Sequence, residues 1–378
     1  MSEQVFRNAR IVLGDEVIEG SLAMRDGRIA DIASGSAAVG EDLGGDILIP
    51  GLVELHTDHI EGHYLPRPKV RWNMMAALQA HDAQIAASGI TTVFDALRVG
   101  MDEDALLTSV DMLAMADTIA AAVDAKRLRA DHYIHLRCEV SAPDVLDHFE
   151  TFASRPLARL VSLMDHAPGQ RQFVDFDTYR SYYQRKMNLT DAAFQVFCDR
   201  RIAQSEIHSD PNRRAIAGFC RSAGVAVASH DDATLAHVDE GLALGVTLAE
   251  FPTTIAAACA SHEAGLLVLM GAPNIVRGGS HSGNVSAAEL LDLGVLDILS
   301  SDYVPFSLLQ SAFALVEAGT LDLPGAIKLV STNPAAAARF EDRGAIAPGL
   351  RADLVRVRAE AGLPPVVAGV WREGRRVA

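Results

Sequence analysis

The chain contains few cysteines and no long hydrophobic run. Its four cysteines are far apart and form no Cys-x-x-Cys pair: Cys138, Cys198, Cys220 and Cys259. A domain of this size does not need a disulfide framework, so the sequence predicts reduced thiols and a cytoplasmic protein. No stretch approaches the roughly 18 uninterrupted apolar residues of a membrane span. The N-terminal segment MSEQVFRNARIVLGDEV also lacks the apolar core of a signal peptide.

Positive charge is also scarce. The chain has 33 Lys and Arg residues against 49 Asp and Glu residues, and its formal net charge is −16. Such a charge disfavours nonspecific binding to nucleic acid or to an anionic membrane, so neither partner is expected. An anionic substrate would need local arginines or metal ions. The length of 378 residues suits one large domain plus a smaller one.

Strand-like and helix-like segments alternate through the middle of the chain. Helix-like segments such as 74–88 and 105–123 separate eight short apolar runs, which lie at 52–55, 90–94, 133–138, 160–164, 225–229, 246–249, 266–270 and 297–301. Eight successive βα units are typical of the α/β class and predict a (β/α)8 TIM barrel.

The two ends of the chain have a different pattern. Short alternating runs, separated by turns such as Asp26-Gly27, predict a small antiparallel β-sandwich domain built from both termini. The predicted domains are 1–49 plus 345–378 for the β domain and 50–344 for the barrel. One connection, 167–215, is long and carries Tyr179, Tyr182 and Tyr183. It is interpreted either as a lid or binding loop or as a peripheral helical insertion.

Ligand-type side chains stand at the ends of the predicted strands. Because side chains alternate along a strand, His56 and Asp58 point the same way, and parallel barrels build their active sites at the carboxyl ends of their strands. A lone His-x-Asp also occurs in ordinary polar turns. Six such residues at five strand ends are harder to explain by packing, since burying unpaired carboxylates costs several kcal/mol. The predicted metal ligands are His56, Asp58, Glu139, His166, His230 and Asp302.

This ligand set predicts two divalent metal ions, with zinc preferred and manganese or iron as alternatives. A pair of ions needs terminal ligands plus a bridging group. Barrel hydrolases often use a carboxylated lysine as the bridge, but no lysine lies at a predicted strand end, so Glu139 is the predicted bridge. Asp302 is predicted to be catalytic, either as a metal ligand or as the acceptor of a proton from water.

Basic and glycine-rich stretches lie near these strand ends. Planar guanidinium groups bind phosphate well, and a glycine-rich turn after the seventh strand can present backbone N–H groups to phosphate oxygens. A solvated surface is the alternative interpretation of each cluster. The predicted substrate-binding residues are Arg67, Arg71, Arg137, Arg277, Gly278, Gly279, Ser280 and Asn284.

Longer motifs resemble known proteins. The His-x-Asp pair, the later strand-end residues and the closing stretch GAIAPGLRADLV resemble the amidohydrolase superfamily. PGLVELHTDHIEGHYLPRPKVRW, HDAQIAASGITTVFDALRVG, SLMDHAPGQRQF and SSDYVP resemble the PhnM family of the carbon–phosphorus lyase pathway. The resemblance implies a metal-dependent diphosphatase of phosphonate catabolism. Its substrate would be a phosphorylated ribose, α-D-ribose 1-methylphosphonate 5-triphosphate, which water cleaves to the 5-phosphate and pyrophosphate.

The expected mechanism is an in-line attack by metal-activated hydroxide on a phosphorus atom. Two other functions are compatible with the pattern. A deaminase or cyclic amidase that hydrolyses a C–N bond would use the same metals without needing the basic clusters. A non-catalytic barrel scaffold would have lost ligands. A homodimer is expected from barrel hydrolases in general.

Overall fold

Two β-sheets organise the computed structural model of the chain, which describes residues 3–35, 37–101, 105–171, 179–180, 183–184, 187–280 and 283–378. The strands are β1 (Glu3–Val12), β2 (Val17–Arg25), β3 (Arg28–Ser34), β4 (Glu41–Asp42), β5 (Ile47–Pro50), β6 (Leu52–Thr57), β7 (Ile90–Val99), β8 (Asp131–Glu139), β9 (Ala158–Met164), β10 (Ala226–His230), β11 (Leu248–Glu250), β12 (Leu267–Gly271), β13 (Ile298–Ser300), β14 (Leu354–Arg358), β15 (Val366–Arg372) and β16 (Arg375–Arg376).

Strands β6 to β13 form a parallel barrel. Each pairs with its neighbours in chain order, and a bridge between Thr57 and Asp302 joins the first strand to the end of the last. Every apolar run that the sequence analysis assigned to the barrel overlaps one of these strands. The prediction of a (β/α)8 barrel is therefore confirmed.

Helices separate the barrel strands. They span Ile60–Tyr64, Met74–Ala87, Ser109–Asp124, Val145–Ala153, Asp191–Ala223, Leu235–Leu244, Ile255–Glu263, Ala272–Arg277, Ala287–Asp292, Ser307–Glu317, Leu323–Ile327 and Asn333–Ala337, with a π-helical turn at Lys328–Thr332. Polar residues cap several of them: the side chains of Asn73, Thr190 and Thr254 each accept a hydrogen bond from a backbone N–H of the first turn. Within the described residues, no helix is long and apolar enough to cross a bilayer.

The remaining strands form one small sheet from both chain ends, in the order β16-β15-β14-β5-β1-β2-β3, with β4 beside β1. The predicted small β domain from both termini is confirmed. Its sheet is mixed rather than wholly antiparallel, because β4 and β5 both run parallel to β1. We propose that the domain boundaries follow the predicted division at 49/50 and 344/345.

Asp131 links the C-terminal segment to the barrel. It stands at the first position of β8 and receives hydrogen bonds from three guanidinium groups. Its Oδ2 accepts from Arg343 at 2.8 Å and Arg351 at 2.6 Å, and its Oδ1 accepts from Arg372 at 3.0 Å. These arginines hold the pKa of Asp131 below its usual value even though burial opposes ionisation. The C-terminal segment is therefore joined to the amino-terminal side of the barrel, away from the strand ends that carry the predicted ligands.

The barrel interior has two layers. The lower layer is apolar and contains Val53, Leu55, Phe94, Leu160, Ala226, Ala228, Leu248, Leu269 and Ile298. Two residues further along the strands toward the carboxyl ends, buried polar side chains replace these residues, including His135, Ser162 and Glu250. Because side chains alternate along each strand, the same inward face supplies first the apolar filling and then the floor of a polar site.

A second buried polar network lies outside the barrel, beneath the helix Met74–Ala87. His132 of β8 lies with Nδ1 2.7 Å from the Asp95 carboxylate and Nε2 3.3 Å from that of Asp82. His81 lies with Nε2 2.7 Å from the other oxygen of Asp95. Burial opposes protonation of His132, but Asp95 and Asp82 outweigh it and raise its pKa to about 9. This network ties the helix to the strands through a buried imidazolium.

Because of this network, the free energy of unfolding should fall as the pH rises from the neutral into the alkaline range. The pKa of His132 rises from an ordinary value of 6.5 to about 9 on folding. Its stabilising contribution is therefore complete below the unfolded-state pKa and is lost as the pH rises through the folded-state pKa. The free energy of unfolding, measured in urea, should lose up to about 3 kcal/mol from this residue between about pH 6.5 and pH 9.5.

The control for this prediction is a pair of histidine variants. His132→Asn removes the imidazolium, so its free energy of unfolding should decline less over this range than that of the wild type. His148→Asn changes a part-exposed histidine of the helix Val145–Ala153 and should leave the wild-type decline intact. Equal slopes for the wild type and His132→Asn would contradict the assignment.

Candidate active site

A cavity of about 720 Å³ opens at the carboxyl ends of the barrel strands. All six predicted metal ligands line it: His56, Asp58, Glu139, His166, His230 and Asp302. Residues that are far apart in the chain thus converge on one space, as the strand-end argument requires. Their individual roles as ligands remain predictions.

Glu250 lies at the centre of the innermost group. This residue ends β11, and its side chain is completely buried. One carboxylate oxygen lies 3.3 Å from Nδ1 of His56, and the other lies 3.2 Å from Nδ1 of His230. Each of the three residues offers one ligand atom within 4.8 Å of the others. The shared carboxylate therefore brings the first and fifth barrel strands to a common centre.

The side chains that surround Glu250 determine its ionisation state. Ser162 donates its hydroxyl to Glu250 at 2.5 Å and also contacts Nε2 of His135. Burial opposes ionisation of Glu250, but the imidazoles of His135 and His56 outweigh it and hold the carboxyl pKa well below its usual range. Burial lowers the pKa of His135 to about 3, so at neutral pH the positive charge beside Glu250 is that of His56, whose pKa Glu250 raises against the effect of burial. The carboxylate is therefore ionised at neutral pH and held in a fixed orientation.

A second group lies beside the first and shares His230 with it. His166, His230 and Asp231 also offer ligand atoms within 4.8 Å of one another. Oδ2 of Asp231 is 3.4 Å from Nε2 of His230 and 3.7 Å from Nε2 of His166. Within the part of the chain that the structure describes, this buried oxygen accepts no hydrogen bond of good geometry, and Asp231 has a left-handed backbone with φ +58°. Buried carboxylate oxygens normally have a partner, so the donor set fits divalent metal ions.

Glu139 lies in the cavity wall, but its partners differ from those of Glu250. Its Oε2 is 2.6 Å from Nδ1 of His166, and its Oε1 accepts hydrogen bonds from Ser141 and Arg201 at 2.6 and 3.3 Å. Burial opposes its ionisation, but His166 and Arg201 bring its pKa down to about 2. Glu139 therefore orients His166, whereas the carboxylate shared between His56 and His230 belongs to Glu250.

Two further predicted ligands face each other where the first and last strands meet. Asp58 accepts a hydrogen bond from Arg137 at 3.1 Å. Asp302 has a left-handed backbone with φ +54°. Burial and the neighbouring Asp58 raise the pKa of Asp302 above its usual value. A carboxylate with a raised pKa is a better proton acceptor, which agrees with the catalytic role predicted for Asp302.

Most of the predicted substrate-binding residues after β12 reach the cavity. Arg277, Gly279, Ser280 and Asn284 line it, as does Arg137 from β8. The backbone N–H groups of Gly278 and Gly279 close the helix Ala272–Arg277 by donating to its carbonyl groups at 3.2 and 2.9 Å. The side chains of this turn thus face the cavity, while two of its amides serve the helix. His281 and Ser282 of the same turn lie outside the described residues.

The other basic cluster lies elsewhere. Neither Arg67 nor Arg71 is among the described residues that line the cavity. Arg71 is instead paired with Asp111 at 3.1 Å and also donates to the carbonyl group of Leu106. Arg67 is exposed. The structure thus separates these two arginines from the other predicted substrate-binding residues, and their binding role remains a prediction.

The long connection forms part of the cavity wall. Its described part contains the first half of the helix Asp191–Ala223, and Tyr179 and Tyr183 pack against Phe194 and Phe197 of that helix. Tyr179, Tyr183, Met187, Phe197 and Arg201 line the cavity. Tyr182 lies outside the described residues. The connection thus combines helical structure with direct contribution to the site.

The predicted site omits Glu250 and several residues of the cavity wall, among them Asp231, Arg98 and Arg201. Glu250 and Asp231 stand at strand ends like the predicted ligands, so applying the strand-end rule to every carboxylate would have included them. Arg98 lies near the end of β7 and donates to the backbone of Gly100 and Leu107. Arg201 lies within a long helix, where no local sequence signal indicates that it reaches the site.

A parallel barrel with ligand-type side chains at its carboxyl ends is the arrangement of a hydrolase of the amidohydrolase superfamily, whose members use divalent metals. The amidohydrolase family model matches residues 217–378. The chain belongs to the family of the alpha-D-ribose 1-methylphosphonate 5-triphosphate diphosphatase of Escherichia coli (strain K12). It is 47% identical to that protein over 377 residues, which are 99% of this chain and 100% of that one. The predictions of this family and of a hydrolase are confirmed.

Solved structures show the same fold at low identity. An N-acetyl-D-glucosamine-6-phosphate deacetylase from Mycobacterium smegmatis is 18% identical with a TM-score of 0.65, and the match covers 100% of both chains. The corresponding deacetylase from Pasteurella multocida is 13% identical with a TM-score of 0.66, and the match covers 99% of both chains. An enamidase is 16% identical with a TM-score of 0.61, over 100% of this chain and 96% of that one.

Replacing Glu250 should weaken metal binding. Glu250→Gln keeps the size of the side chain but removes the charge between His56 and His230, so metal affinity should fall by about tenfold to a hundredfold. Metal content after dialysis against a graded chelator series, measured by plasma mass spectrometry, checks this. Glu263→Gln, on the exposed surface of another helix, is the matched control. Equal metal retention in both variants would rule out Glu250 as a ligand.

Proposed function

We propose that the chain hydrolyses α-D-ribose 1-methylphosphonate 5-triphosphate to the 5-phosphate and pyrophosphate. The observation that carries the proposal is a single cavity in which two groups of metal-ligand side chains face Arg137, Arg277, Ser280 and Asn284. The substrate is strongly anionic, and the net charge of the protein is −16, so binding needs local cations. The 47% identity to the diphosphatase supports this substrate.

The two ligand groups support two divalent ions, which we propose are zinc. His56, His230 and Glu250 would hold one ion, and His166 and Asp231 would help to hold the other, with Asp58 and Asp302 at the edge of the site. Imidazole nitrogens and carboxylate oxygens in these proportions suit zinc, and manganese or iron are the alternatives. When bound, such ions lower the pKa of water and offset charge on phosphoryl oxygens.

The side chains of the chain itself account for orientation and proton movement. Arg277, Ser280 and Asn284 bind phosphate oxygens on one wall. Asp302 accepts the proton of the attacking water, which is consistent with its raised pKa. Water adds to phosphorus as the anhydride bond between the first and second phosphates breaks. The leaving phosphate oxygen then takes up negative charge close to the arginines.

The alternative of C–N bond hydrolysis explains the metal ligands equally well, but it gives no role to the arginines of the cavity wall, Arg137 and Arg277. Phosphorus-31 NMR with the ribosyl triphosphate separates the two functions, because only the diphosphatase produces a pyrophosphate signal. We further propose a homodimer and a cytoplasmic location. All four cysteines are free thiols, which supports the proposed location.

Removing the carboxylate of Asp302 should abolish turnover without unfolding the chain. Asp302→Ala removes the proton acceptor, and loss of a general base typically lowers the rate by about 10²-fold to 10⁴-fold. Pyrophosphate release followed by phosphorus-31 NMR measures the rate, and circular dichroism checks the fold. Near-normal release of pyrophosphate would exclude the catalytic role of Asp302.

Removing the guanidinium group of Arg277 should weaken substrate binding. A charge-assisted hydrogen bond contributes about 1.5–3 kcal/mol, so Arg277→Ala should lower kcat/KM by roughly tenfold to a hundredfold. Arg214→Ala is the control, since Arg214 lies exposed on the helix Asp191–Ala223 and its side chain pairs with Asp210, one turn away on the same helix. If both variants keep the wild-type kcat/KM, Arg277 does not bind the substrate.

A further inference from the structure

The barrel is closed by few contacts where its first and last strands meet. The last strand, β13, has only three residues, and one bridge joins Thr57 to Asp302. Ser300 donates its hydroxyl to the backbone carbonyl of His56 at 2.7 Å and also contacts Glu54. Asp58 follows β6 and Asp302 follows β13, on the two sides of this junction, which we call the barrel seam.

His59 connects the same two loops on the outer side of the seam. Its Nδ1 lies 3.2 Å from the backbone carbonyl oxygen of Tyr303, the residue after Asp302. A carbonyl oxygen only accepts hydrogen bonds, so the contact with Tyr303 is a hydrogen bond in the ring form that carries a proton on Nδ1. The other ring nitrogen, Nε2, lies 3.0 Å from the side-chain amide oxygen of Gln84. His59 therefore joins the residue beside Asp58, the residue beside Asp302 and the helix Met74–Ala87.

The position of His59 separates it from the chemistry. Among the described residues, the cavity wall includes Asp58, Glu61 and Tyr303 but not His59. Its ring instead packs edge-on against His63 at 5.0 Å between centroids and lies 5.9 Å from His81. His59 can therefore affect the reaction only through the loops that it joins.

We propose that His59 is a positioning residue that sets the separation of Asp58 and Asp302 across the barrel seam through its hydrogen bond to the Tyr303 carbonyl. The proposal rests on the proposed function in assigning roles to those two carboxylates. The backbone of Asp302 is left-handed, a conformation that costs energy for a non-glycine residue and persists only when its surroundings hold it. The hydrogen bond from His59 to the next residue supplies such a restraint.

Three substitutions of His59 separate its two contacts. The amide nitrogen of asparagine can occupy the place of Nδ1, whereas that of glutamine reaches the place of Nε2. His59→Asn should therefore keep the bond to Tyr303 and retain kcat within about threefold, whereas His59→Gln and His59→Ala should lose roughly tenfold to a hundredfold. The KM of all three variants should stay near the wild-type value, because the substrate does not touch His59. His148→Asn is the control for a histidine change elsewhere.

Two readouts make the result decisive. Pyrophosphate release, corrected for the folded fraction measured by circular dichroism, gives kcat and KM. Retention of bound zinc during dialysis against a chelator series reports the geometry of the site without using activity. The proposal expects His59→Asn to retain zinc like the wild type and His59→Gln to lose it at a lower chelator concentration. Equal kcat and equal zinc retention in the asparagine and glutamine variants would overturn it.

The two readouts also separate this proposal from the proposed function. If the wild-type chain releases no pyrophosphate, the proposed function fails, while the order of zinc retention among the His59 variants still decides whether His59 positions the site. If pyrophosphate is released and the His59→Ala variant matches the wild type in kcat and in zinc retention, only the positioning role fails.

Discussion

The buried carboxylate of Glu250 is the interaction on which the rest of the site depends. It accepts a hydrogen bond from Ser162 and lies within hydrogen-bond distance of His56 and His230, so strands β6, β9, β10 and β11 meet at one charge. An unpaired charge at this depth would cost several kcal/mol, and single removal of a buried partner is strongly destabilising. The strands can place their polar ends inside the barrel only because each of these groups has a partner there.

Catalytic and stabilising charges are separated by the alternation of side chains along the strands. On β8, His135, Arg137 and Glu139 face the barrel interior or the cavity, whereas His132 faces the helix Met74–Ala87 through its contacts with Asp82 and Asp95. The inner residues belong to the proposed site, and the outer ones join helix to strand. A shift of β8 by one residue relative to its neighbours would turn its inner side chains outward and its outer side chains inward. The apolar residues that fix this register therefore also determine which side chains reach the cavity.

This alternation explains how much of the molecule could be predicted. The barrel strands could be located from apolar runs, and six residues of the cavity wall from residues at strand ends, because both depend on local sequence. The role of Glu139 could not be resolved in the same way. Glu139 and Glu250 both end a strand, and only the tertiary structure shows that Arg201 and His166 occupy the first while His56 and His230 share the second.

Residues contributed by distant segments follow a different rule. Arg71 follows the first predicted ligands closely in sequence, yet the turn that carries it brings it to Asp111. Arg201 is remote from every motif, yet a helix of 33 residues carries it into the cavity beside Glu139. Proximity in sequence predicts proximity in space only along a strand and its first turn. Beyond that turn, the helix packing decides which arginines reach the cavity, so the arginines of the cavity wall are the part of the proposed site that sequence motifs describe least well.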